Sequence, residues 1–258
     1  MQKQPLKVSI VTPVLNAADT IADCIKSVTA QTWSNVEHVI VDGGSTDGTI
    51  GIIRKNAGSD TIFISEPDKG IYDAMNKGIF LAAGDLVAVL NADDVYAADD
   101  VIERVTRCFM EQDVNACYGD LLYVDKTNMD RIVRYWHAGT FVREKFRRGW
   151  MPPHPTFFAR RQLFERYGAF DLSYPIAADY ELMLRLLYKH RISVAYIPEV
   201  LVKMRTGGKS APSLKTAWKV FRENHNAWSS NRLNTSLSTF VLKPLLKTVQ
   251  YVQPLSEP

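Results

Sequence analysis

Residues Ser65–Asp94, SEPDKGIYDAMNKGIFLAAGDLVAVLNADD, contain the pattern that decides the fold. Ile71–Ala83 has the apolar period of a helix, and Leu86–Leu90 is apolar on both faces, as in a buried strand. Two acids, Asp93 and Asp94, come directly after that strand. Carboxylates are poor core residues but good ligands for divalent cations. The stretch therefore predicts an enzyme site at the edge of a buried sheet.

Strands and helices alternate through the first half of the chain, and this alternation predicts an α/β fold. We expect a mainly parallel sheet with helices on both faces and a nucleotide site at the carboxyl ends of its strands. Pro13 is expected to end the first strand, and Asp19 to cap the first helix. The predicted strands are Val8–Thr12, Val36–Val41, Thr61–Ser65, Leu86–Leu90 and Ala116–Asp120. The predicted helices run from Asp19 to about Gln31, Thr49 to about Asn56, Ile71 to Ala83 and Asp99 to Glu111.

The second half of the chain has a different composition. Phe141–Pro155 is basic, aromatic and rich in proline, which we expect of an acceptor-side insertion. The pattern further predicts a hairpin at Leu121–Trp136, an amphipathic helix at Tyr180–His190, a last strand at Val194–Pro198, and two C-terminal helices at Leu214–Ser229 and Ser238–Val252. We therefore predict a catalytic domain over residues 1–212 and a basic, amphipathic helical tail over residues 213–258.

Composition and charge exclude few function classes. The 258 residues are 46% hydrophobic and 23% charged, as in an ordinary globular protein. The net charge of +3 is uneven, because the chain from Lys203 onward carries +7 and the preceding part −4. A basic tail with aromatic residues favours contact with an anionic membrane surface, and packing on the body or on another subunit is the alternative. No nucleic-acid-binding module accompanies the charge, so no nucleic-acid partner is expected.

The cysteines and the apolar segments indicate the cellular compartment of the protein. Three scattered cysteines without a CxxC pair indicate buried thiols in a reducing cytosol. No window reaches the roughly 18 apolar residues of a spanning helix, and the N-terminus has no leader pattern. We expect a cytoplasmic protein, with peripheral attachment to the inner face of the cytoplasmic membrane as the variant that the tail suggests.

The segment Asn91–Asp94 is the first candidate site. Mg²⁺ and Mn²⁺ bind one or two protein carboxylates together with substrate phosphates and water. Such a cation neutralises the charge that develops on a leaving diphosphate. The structural alternative is that Asp93 or Asp94 caps the next helix, which is expected to begin near Asp99.

The segment VIVDGGSTDG supplies the second candidate, Asp42 at the end of a parallel strand. Its carboxylate could accept two hydrogen bonds from a ribose or a base, whereas Asp47 is expected to brace the turn. The segment contains neither GxGxxG nor the lysine of a P-loop, which argues against dehydrogenase and kinase-like functions.

Asp179 is the candidate general base. It stands before the helix YELMLRLLYKH, and a helix N-terminus favours the ionised carboxylate that a base requires. The alternative from the residues alone is that Asp179 only caps this helix.

Several other polar residues are candidates with open alternatives. Glu66, Asp68, Tyr72 and Asn76 are expected to contact the donor or simply to face solvent. Arg205 and Lys209 could close over a diphosphate as a lid, the alternative being a basic linker. The remaining candidates lie at the end of the first strand, in the loops after the first and fourth strands, or on the acceptor side: Thr12, Pro13, Asn16 and Ala92 for the donor, His154 and Trp150 for the acceptor. For His154, the alternative is a packed or turn histidine that binds no ligand.

Five segments together resemble the family-two inverting glycosyltransferases of the GT-A fold. They are VSIVTPVLNAADTIADCIKSVTAQT, VIVDGGSTDGT, EPDKGIYDAMNKGI, LNADD and AADYELMLRL, in the order and spacing of that family, over about residues 6–210. The third segment is most similar to bacterial members that assemble exopolysaccharide, capsule or O-antigen units. The resemblance implies a metal-dependent transferase of the hexosyltransferase type.

The resemblance also implies ligands and roles. It implies a nucleotide sugar (UDP- or GDP-linked) as donor, Mn²⁺ or Mg²⁺ as cofactor, and a glycan or a polyprenyl-diphosphate-linked glycan as acceptor. By position, Thr12 and Asp42 would meet the nucleoside, Asp93 would bind the metal with Asp94 in support, and Asp179 would be the base. The expected reaction is a single displacement that inverts the anomeric carbon.

Two positions depart from the family pattern. Gly43 stands where the family often has a second aspartate, which removes a base contact. Asn91 replaces the first acid of Asp-x-Asp and carries no charge. Two other functions remain as alternatives. One is a nucleotidyltransferase that makes nucleotide sugars, although the glycine-rich basic loop of that class is missing from VTPVLNAADT. The other is a non-catalytic protein that binds nucleotide sugars.

Overall fold

A computed structural model describes residues 5–207 and 214–234 of the chain. In chain order the strands are β1 Val8–Val14, β2 Val36–Asp42, β3 Thr61–Ser65, β4 Leu86–Val89, β5 Val95–Tyr96, β6 Ala116–Val124, β7 Ile132–Trp136, β8 Phe158–Arg160 and β9 Val194–Arg205. The α-helices are α1 Ile21–Thr29, α2 Thr49–Asn56, α3 Ile71–Leu81, α4 Val101–Glu111, α5 Gln162–Tyr167, α6 Ala178–Met183 and α7 Leu214–Ser230. Short 3₁₀ helices cover Arg143–Arg148 and His154–Thr156, and a π-helical turn over Leu184–Lys189 continues α6.

The strands form one mixed sheet in the order β3-β2-β1-β4-β8-β6-β9-β5, and β7 pairs with β6 as a hairpin. The first four strands are parallel, as predicted from the alternation. Strand β8 is antiparallel to both β4 and β6, and thereby joins the two halves of the chain into one sheet. The carboxyl ends of β1 to β4 consequently meet at one edge, where the candidate residues stand.

Helices cover both faces of this sheet. Side chains of β1 alternate between the two faces, so that Val8 and Ile10 pack with α1 and α4 while Val11 packs with α3. Helix α3 lies so close to β1 that only glycine fits at position 78. A Cβ on Gly78 would lie 2.3 Å from a methyl group of Val11. Within residues 5–207 and 214–234, no helix is long and apolar enough to cross a membrane.

Three local expectations were wrong. Pro13 does not end β1, because it pairs with Val41 of β2. The pairing of β1 with β4 ends at Val11, so the N–H that proline lacks breaks no hydrogen bond between these strands. Helix α1 begins after Thr20 rather than at a capping Asp19. Strand β9 continues past Pro198 to Arg205, because it pairs with β6 along most of its length.

Helix α7 packs against the body behind α6. Trp228 is fully buried, and its indole Nε1 donates a hydrogen bond to the Tyr180 hydroxyl at 2.9 Å. Asn231 donates through Nδ2 to the buried Glu181 at 2.9 Å. Part of the predicted tail is thus in contact with the helix that carries Asp179. The boundary at residue 212 stays a prediction, and the predicted helix at 238–252 lies outside the described residues.

A buried histidine gives the fold a pH dependence. His38 lies inside the sheet with its Nε2 2.8 Å from the Thr12 hydroxyl, and burial lowers its pKa from 6.5 to about 3. The unfolded chain therefore binds a proton below pH 6.5 that the folded chain does not bind until about pH 3, so stability is lost as the pH falls through this window.

We expect His38→Gln to remove this dependence while keeping a hydrogen-bonding group opposite Thr12. Between pH 6.5 and 5, the free energy of unfolding of the wild type should fall by about 1.5 kcal/mol more than that of the variant, from the linkage slope of roughly 1.4 kcal/mol per pH unit. Urea unfolding of both proteins at each pH measures the difference. Parallel pH profiles would show that His38 is not the group responsible.

Candidate active site

The loops after β1 and β2 are tied together by hydrogen bonds. Asn16, in the left-handed region at φ 51°, accepts the Thr46 backbone N–H through Oδ1 at 2.9 Å, and its own N–H donates to the Ser45 hydroxyl at 2.8 Å. Asp47 accepts the N–H groups of Ala18 and Thr49, both at 3.0 Å. The bracing role predicted for Asp47 is confirmed. Asn16 lies at the expected edge, but its described contacts hold the loop.

Thr12 and Pro13 do not present side chains to this edge. Both are buried, and the Thr12 hydroxyl is hydrogen-bonded to His38 inside the sheet. The expected side-chain contact of Thr12 with a nucleoside is therefore corrected. Thr12 is buried because it lies within β1, which pairs with β2 as far as Val14.

The carboxylate of Asp42 is also occupied by hydrogen bonds within the protein. Its Oδ2 accepts the N–H groups of Gly44 and Ser45 at 3.1 and 3.0 Å and the Ser65 hydroxyl at 2.7 Å, while Oδ1 accepts the Ser45 hydroxyl. The carboxylate is fully buried. Asp42 thus shapes the loop after β2, and the free fork expected for a ribose or a base is not available in this arrangement.

The segment Asn91–Asp94 follows β4 and turns inward. Ala92 and Asp94 are buried, and the Asp93 side chain is half-buried with no hydrogen bond to any described residue. Asn91 donates through Nδ2 to Asp94 at 3.0 Å. Neither acid caps α4, which begins after Asp100 without a side-chain cap, so the capping alternative is wrong.

The polar atoms of this segment fit a bound cation. Asn91 Oδ1 and Asp94 Oδ1 are buried and accept no hydrogen bond, although a buried acceptor normally has a partner. Burial, and then the charge of Asp93, raise the pKa of Asp94 above its ordinary value, which a nearby cation would offset. Among the described residues no three His, Cys, Asp or Glu side chains converge. The oxygen donors of Asn91, Asp93 and Asp94 suit a cation such as Mg²⁺ that keeps water and phosphate ligands.

Arg205 holds this segment in place. It is 6% exposed, and its guanidinium donates to the Asp93 carbonyl at 2.8 Å and to the Asp23 carboxylate at 2.6 Å. The expectation of a mobile lid is corrected for Arg205, because it ends β9 as a buried clamp. Lys209, the other predicted lid residue, lies outside the described residues.

Asp179 lies in the first turn of α6 and faces the carboxyl end of β4. With Val89, it lines a cavity of about 20 Å³. Its side chain is 22% exposed, and Oδ1 accepts the Tyr72 hydroxyl at 3.3 Å. The N-cap of α6 is Ala177, and no side chain caps the helix, so the purely capping role is wrong. The carboxylate is thus oriented by Tyr72 and stays partly exposed.

Tyr72 and Asn76 serve the segment that carries Asp179, which corrects the expectation that they bind the donor. The single Tyr72 hydroxyl proton is shared between Asp179 and the Ile176 carbonyl, which is the nearer acceptor at 2.8 Å. Asn76 donates to the Phe170 carbonyl at 2.8 Å and accepts the Phe170 N–H at 2.9 Å, so both ends of its amide are used. Helix α3 therefore positions the base from one side.

Glu223 of α7 positions the same segment from behind, and sequence reasoning missed it. One carboxylate oxygen accepts the backbone N–H groups of Ile176 and Ala177, at 3.0 and 2.9 Å. Glu223 is buried although it lies on a helix with exposed basic residues. An acid on the inner face of an amphipathic helix was the available signal, but its partners lie about 46 residues away in the chain.

The two acceptor-side candidates differ in their distance from Asp179. His154 Nδ1 is 4.0 Å from Asp179 Oδ2, and burial lowers the pKa of His154, which favours the neutral ring. Its Nε2 is buried without a hydrogen-bond partner. Trp150 is half-buried and packs on Tyr118 and Phe146, with Lys145 over its ring. His154 lies beside the candidate base, whereas the contacts of Trp150 are with its own aromatic cluster.

Glu66 and Asp68 lie in the loop between β3 and α3. Glu66 is exposed and forms an ion pair with Lys77 at 2.7 Å. Asp68 accepts the Gly70 N–H at 2.8 Å and lies against Gly43. Both acids are at the edge where the sequence predicted them, next to the loop after β2.

Comparisons with known proteins identify the family and the fold of this chain. The family model described as Glycosyl transferase family 2 matches residues 9–170. A Mycobacterium bovis protein named PGL/p-HBAD biosynthesis glycosyltransferase is 33% identical over 203 residues, which are 78% of this chain and 77% of that protein.

Two solved structures have a similar fold. S. aureus TarS 1–349 in complex with UDP-GlcNAc has a TM-score of 0.70 at 16% identity, covering 93% of this chain and 70% of that one. The match to a longer TarS chain covers 42% of it. The mannosyltransferase PcManGT from Pyrobaculum calidifontis, in complex with GDP-Man and Mn²⁺, has a TM-score of 0.61 at 17% identity, covering 98% of this chain and 82% of that one. These likenesses show the GT-A fold, and with the family match and the curated relative they place this chain in glycosyl transferase family 2.

Proposed function

We propose that this glycosyltransferase is an inverting, metal-dependent enzyme that transfers a sugar from a UDP- or GDP-linked donor to a hydroxyl group of the acceptor. The observation that carries the proposal is the position of Asp179. It is a partly exposed carboxylate that accepts a hydrogen bond from Tyr72 and lines a cavity with the last residues of β4, the strand that precedes Asp93 and Asp94. A base and a cation-binding pair at one sheet edge are the two elements that such a transfer requires.

The chemistry follows from these groups. The Asp179 carboxylate takes the proton of the acceptor hydroxyl while the acceptor oxygen attacks the anomeric carbon of the donor sugar. The bond between that carbon and the diphosphate breaks, and the nucleoside diphosphate leaves with the electron pair. One displacement inverts the configuration, and no second carboxylate nucleophile is required.

The carboxylates of Asp93 and Asp94 and the amide oxygen of Asn91 would hold a divalent cation. When bound, Mn²⁺ or Mg²⁺ neutralises negative charge on the leaving diphosphate. The orphaned oxygens of Asp94 and Asn91 support this assignment. The presence of Mn²⁺ with GDP-Man in a structural neighbour supports it as well.

The acceptor in this proposal is a glycan or a lipid-linked glycan of bacterial surface polysaccharide synthesis. The mycobacterial relative is named a biosynthesis glycosyltransferase, which supports a biosynthetic role for this chain. On α7, Trp218 is 65% exposed and stacks on Phe221, and Lys219 and Arg222 are exposed nearby. An aromatic and basic helix face suits peripheral attachment to an anionic membrane surface that carries such an acceptor.

A panel of nucleotide sugars tests the proposal. The full chain is incubated with UDP- and GDP-linked sugars, with Mn²⁺, Mg²⁺ or EDTA, and both the melting temperature and nucleoside diphosphate release are measured. We expect at least one donor to raise the melting temperature and to be turned over, with EDTA abolishing turnover. If no donor stabilises the chain and none is consumed, the proposal is wrong.

A further inference from the structure

The carboxylate of Asp68 occupies the space where residue 43 has no side chain. A Cβ added to Gly43 would lie 2.3 Å from Asp68 Oδ2 and 3.0 Å from its Cγ. Gly43 is not among the residues with positive φ, so the close approach of Asp68, rather than the backbone conformation, requires glycine here. A carboxylate thus lies directly above the end of β2, although it comes from the loop after β3.

The loop holds Asp68 firmly in this position. The Glu66 N–H donates to the Asp42 carbonyl at 2.9 Å, which ties the loop to the end of β2. Asp68 Oδ1 accepts the Gly70 N–H at 2.8 Å, and Gly70 has a φ of 116° that favours glycine. Oδ2 accepts no hydrogen bond from the described residues. One oxygen of Asp68 orients the side chain, and the other is free.

Asp42 and Asp47 have no comparable free oxygen. Asp42 accepts four hydrogen bonds, and both oxygens of Asp47 are occupied by Ala18 and Thr49. Glu66 is paired with Lys77. Among the described acids of the loops after β2 and β3, Asp68 is the one that combines a free oxygen with a fixed position against the end of β2.

Resting on the proposed function, we propose that Asp68 selects the nucleobase of the donor. An ionised carboxylate only accepts hydrogen bonds, so it matches a base whose ring nitrogen carries hydrogen: uracil or thymine at N3, or guanine at N1. Cytosine N3 and adenine N1 carry lone pairs that would face the carboxylate. Asp68 therefore performs from the neighbouring loop the base contact that Gly43 cannot make.

Matched pairs of nucleotides test this selection. UDP and CDP share their ring size, as do GDP and ADP, and the members of each pair differ in whether the ring nitrogen carries hydrogen and in the exocyclic groups beside it. We measure their affinities for the full chain by calorimetry in the presence of Mn²⁺. For the pair whose ring size the site accepts, we expect the wild type to bind UDP over CDP, or GDP over ADP, by at least tenfold.

Asp68→Asn is the diagnostic variant. Its amide can donate as well as accept, so the preference within the pair should fall to less than threefold, mainly through weaker binding of UDP or GDP. Asp60→Asn makes the same charge change on an exposed residue at the opposite end of β3 and should keep the wild-type preference. An unchanged preference in Asp68→Asn would overturn the proposal.

Gly43 gives an independent test. Gly43→Ala should displace the Asp68 carboxylate and lower the preference as Asp68→Asn does, without an additive effect in the double variant. Gly43→Asp combined with Asp68→Ala should return a carboxylate to this space and restore the preference. A Gly43→Ala chain with wild-type preference would contradict the assignment. If the wild type binds none of the four nucleotides, both this proposal and the proposed function fail, whereas binding without base preference overturns the Asp68 assignment alone.

Discussion

Asp179→Asn is expected to lower the rate of transfer by about 10²- to 10⁴-fold while leaving the donor bound. Asparagine has the same shape but cannot take a proton from the acceptor hydroxyl, and a positioned general base contributes about 10²- to 10⁴-fold to the rate. Because Asp179 does not cap α6, and because asparagine can still accept the hydrogen bond from Tyr72, the fold should not change. We therefore expect kcat to fall by about that factor and the donor dissociation constant to change less than twofold.

The measurement combines nucleoside diphosphate release with calorimetric titration of the donor. Asp171→Asn is the matched control, since Asp171 is exposed on the same segment and its contact with the Ser173 N–H at 2.9 Å can be kept by asparagine. A variant that keeps more than a tenth of the wild-type rate would exclude Asp179 as the base. If the wild type and Asp179→Asn bind donors equally well and neither turns any donor over, the chain is the non-catalytic binding protein.

Asp93→Asn is expected to remove the rate enhancement that the divalent cation gives. The Asp93 carboxylate has no hydrogen bond to a described residue, while its backbone is held by Arg205, so the substitution removes a charge with little change in the fold. We expect kcat/KM to fall on the order of 10²- to 10⁴-fold, as the loss of several kcal/mol of charge stabilisation implies.

Thermal shift with donor nucleotide, with and without Mn²⁺, separates this loss from a general defect. The wild type should gain a metal-dependent increase in melting temperature that Asp93→Asn lacks, whereas Asp99→Asn, an exposed acid before α4, should behave as the wild type. If Mn²⁺ stabilises the Asp93→Asn complex as strongly as that of the wild type, the cation is bound elsewhere.

The parallel half of the fold was predictable because its signals are local. The bounds of α2 and β3 agree with the predicted Thr49–Asn56 and Thr61–Ser65, since apolar period and turn residues coincide there. Strands β5 and β8 were missed, because they are very short and exist only through pairing with distant strands. The same distant pairing extends β9 past a proline that locally argues against a strand.

The candidate site was predictable in its location but not in the partners of each side chain. Strand ends placed Asp42, Asp93 and Asp68 at one edge without the structure. The partners of Tyr72 and Asn76 are more than 90 residues away, so their spacing of one helical turn could not distinguish a donor contact from a contact with the segment that carries Asp179. The departure at Gly43 was visible in the sequence, but only the position of Asp68 gives it a physical reason.

Family membership removes the nucleotidyltransferase alternative, so the central claim concerns the mechanism: a single displacement with Asp179 as base. The most direct test is the anomeric configuration of the glycoside formed from an α-linked nucleotide sugar and an acceptor alcohol, determined by proton NMR. The account predicts the β-glycoside, together with its loss in Asp179→Asn. An α-glycoside from the wild-type chain would contradict the single displacement.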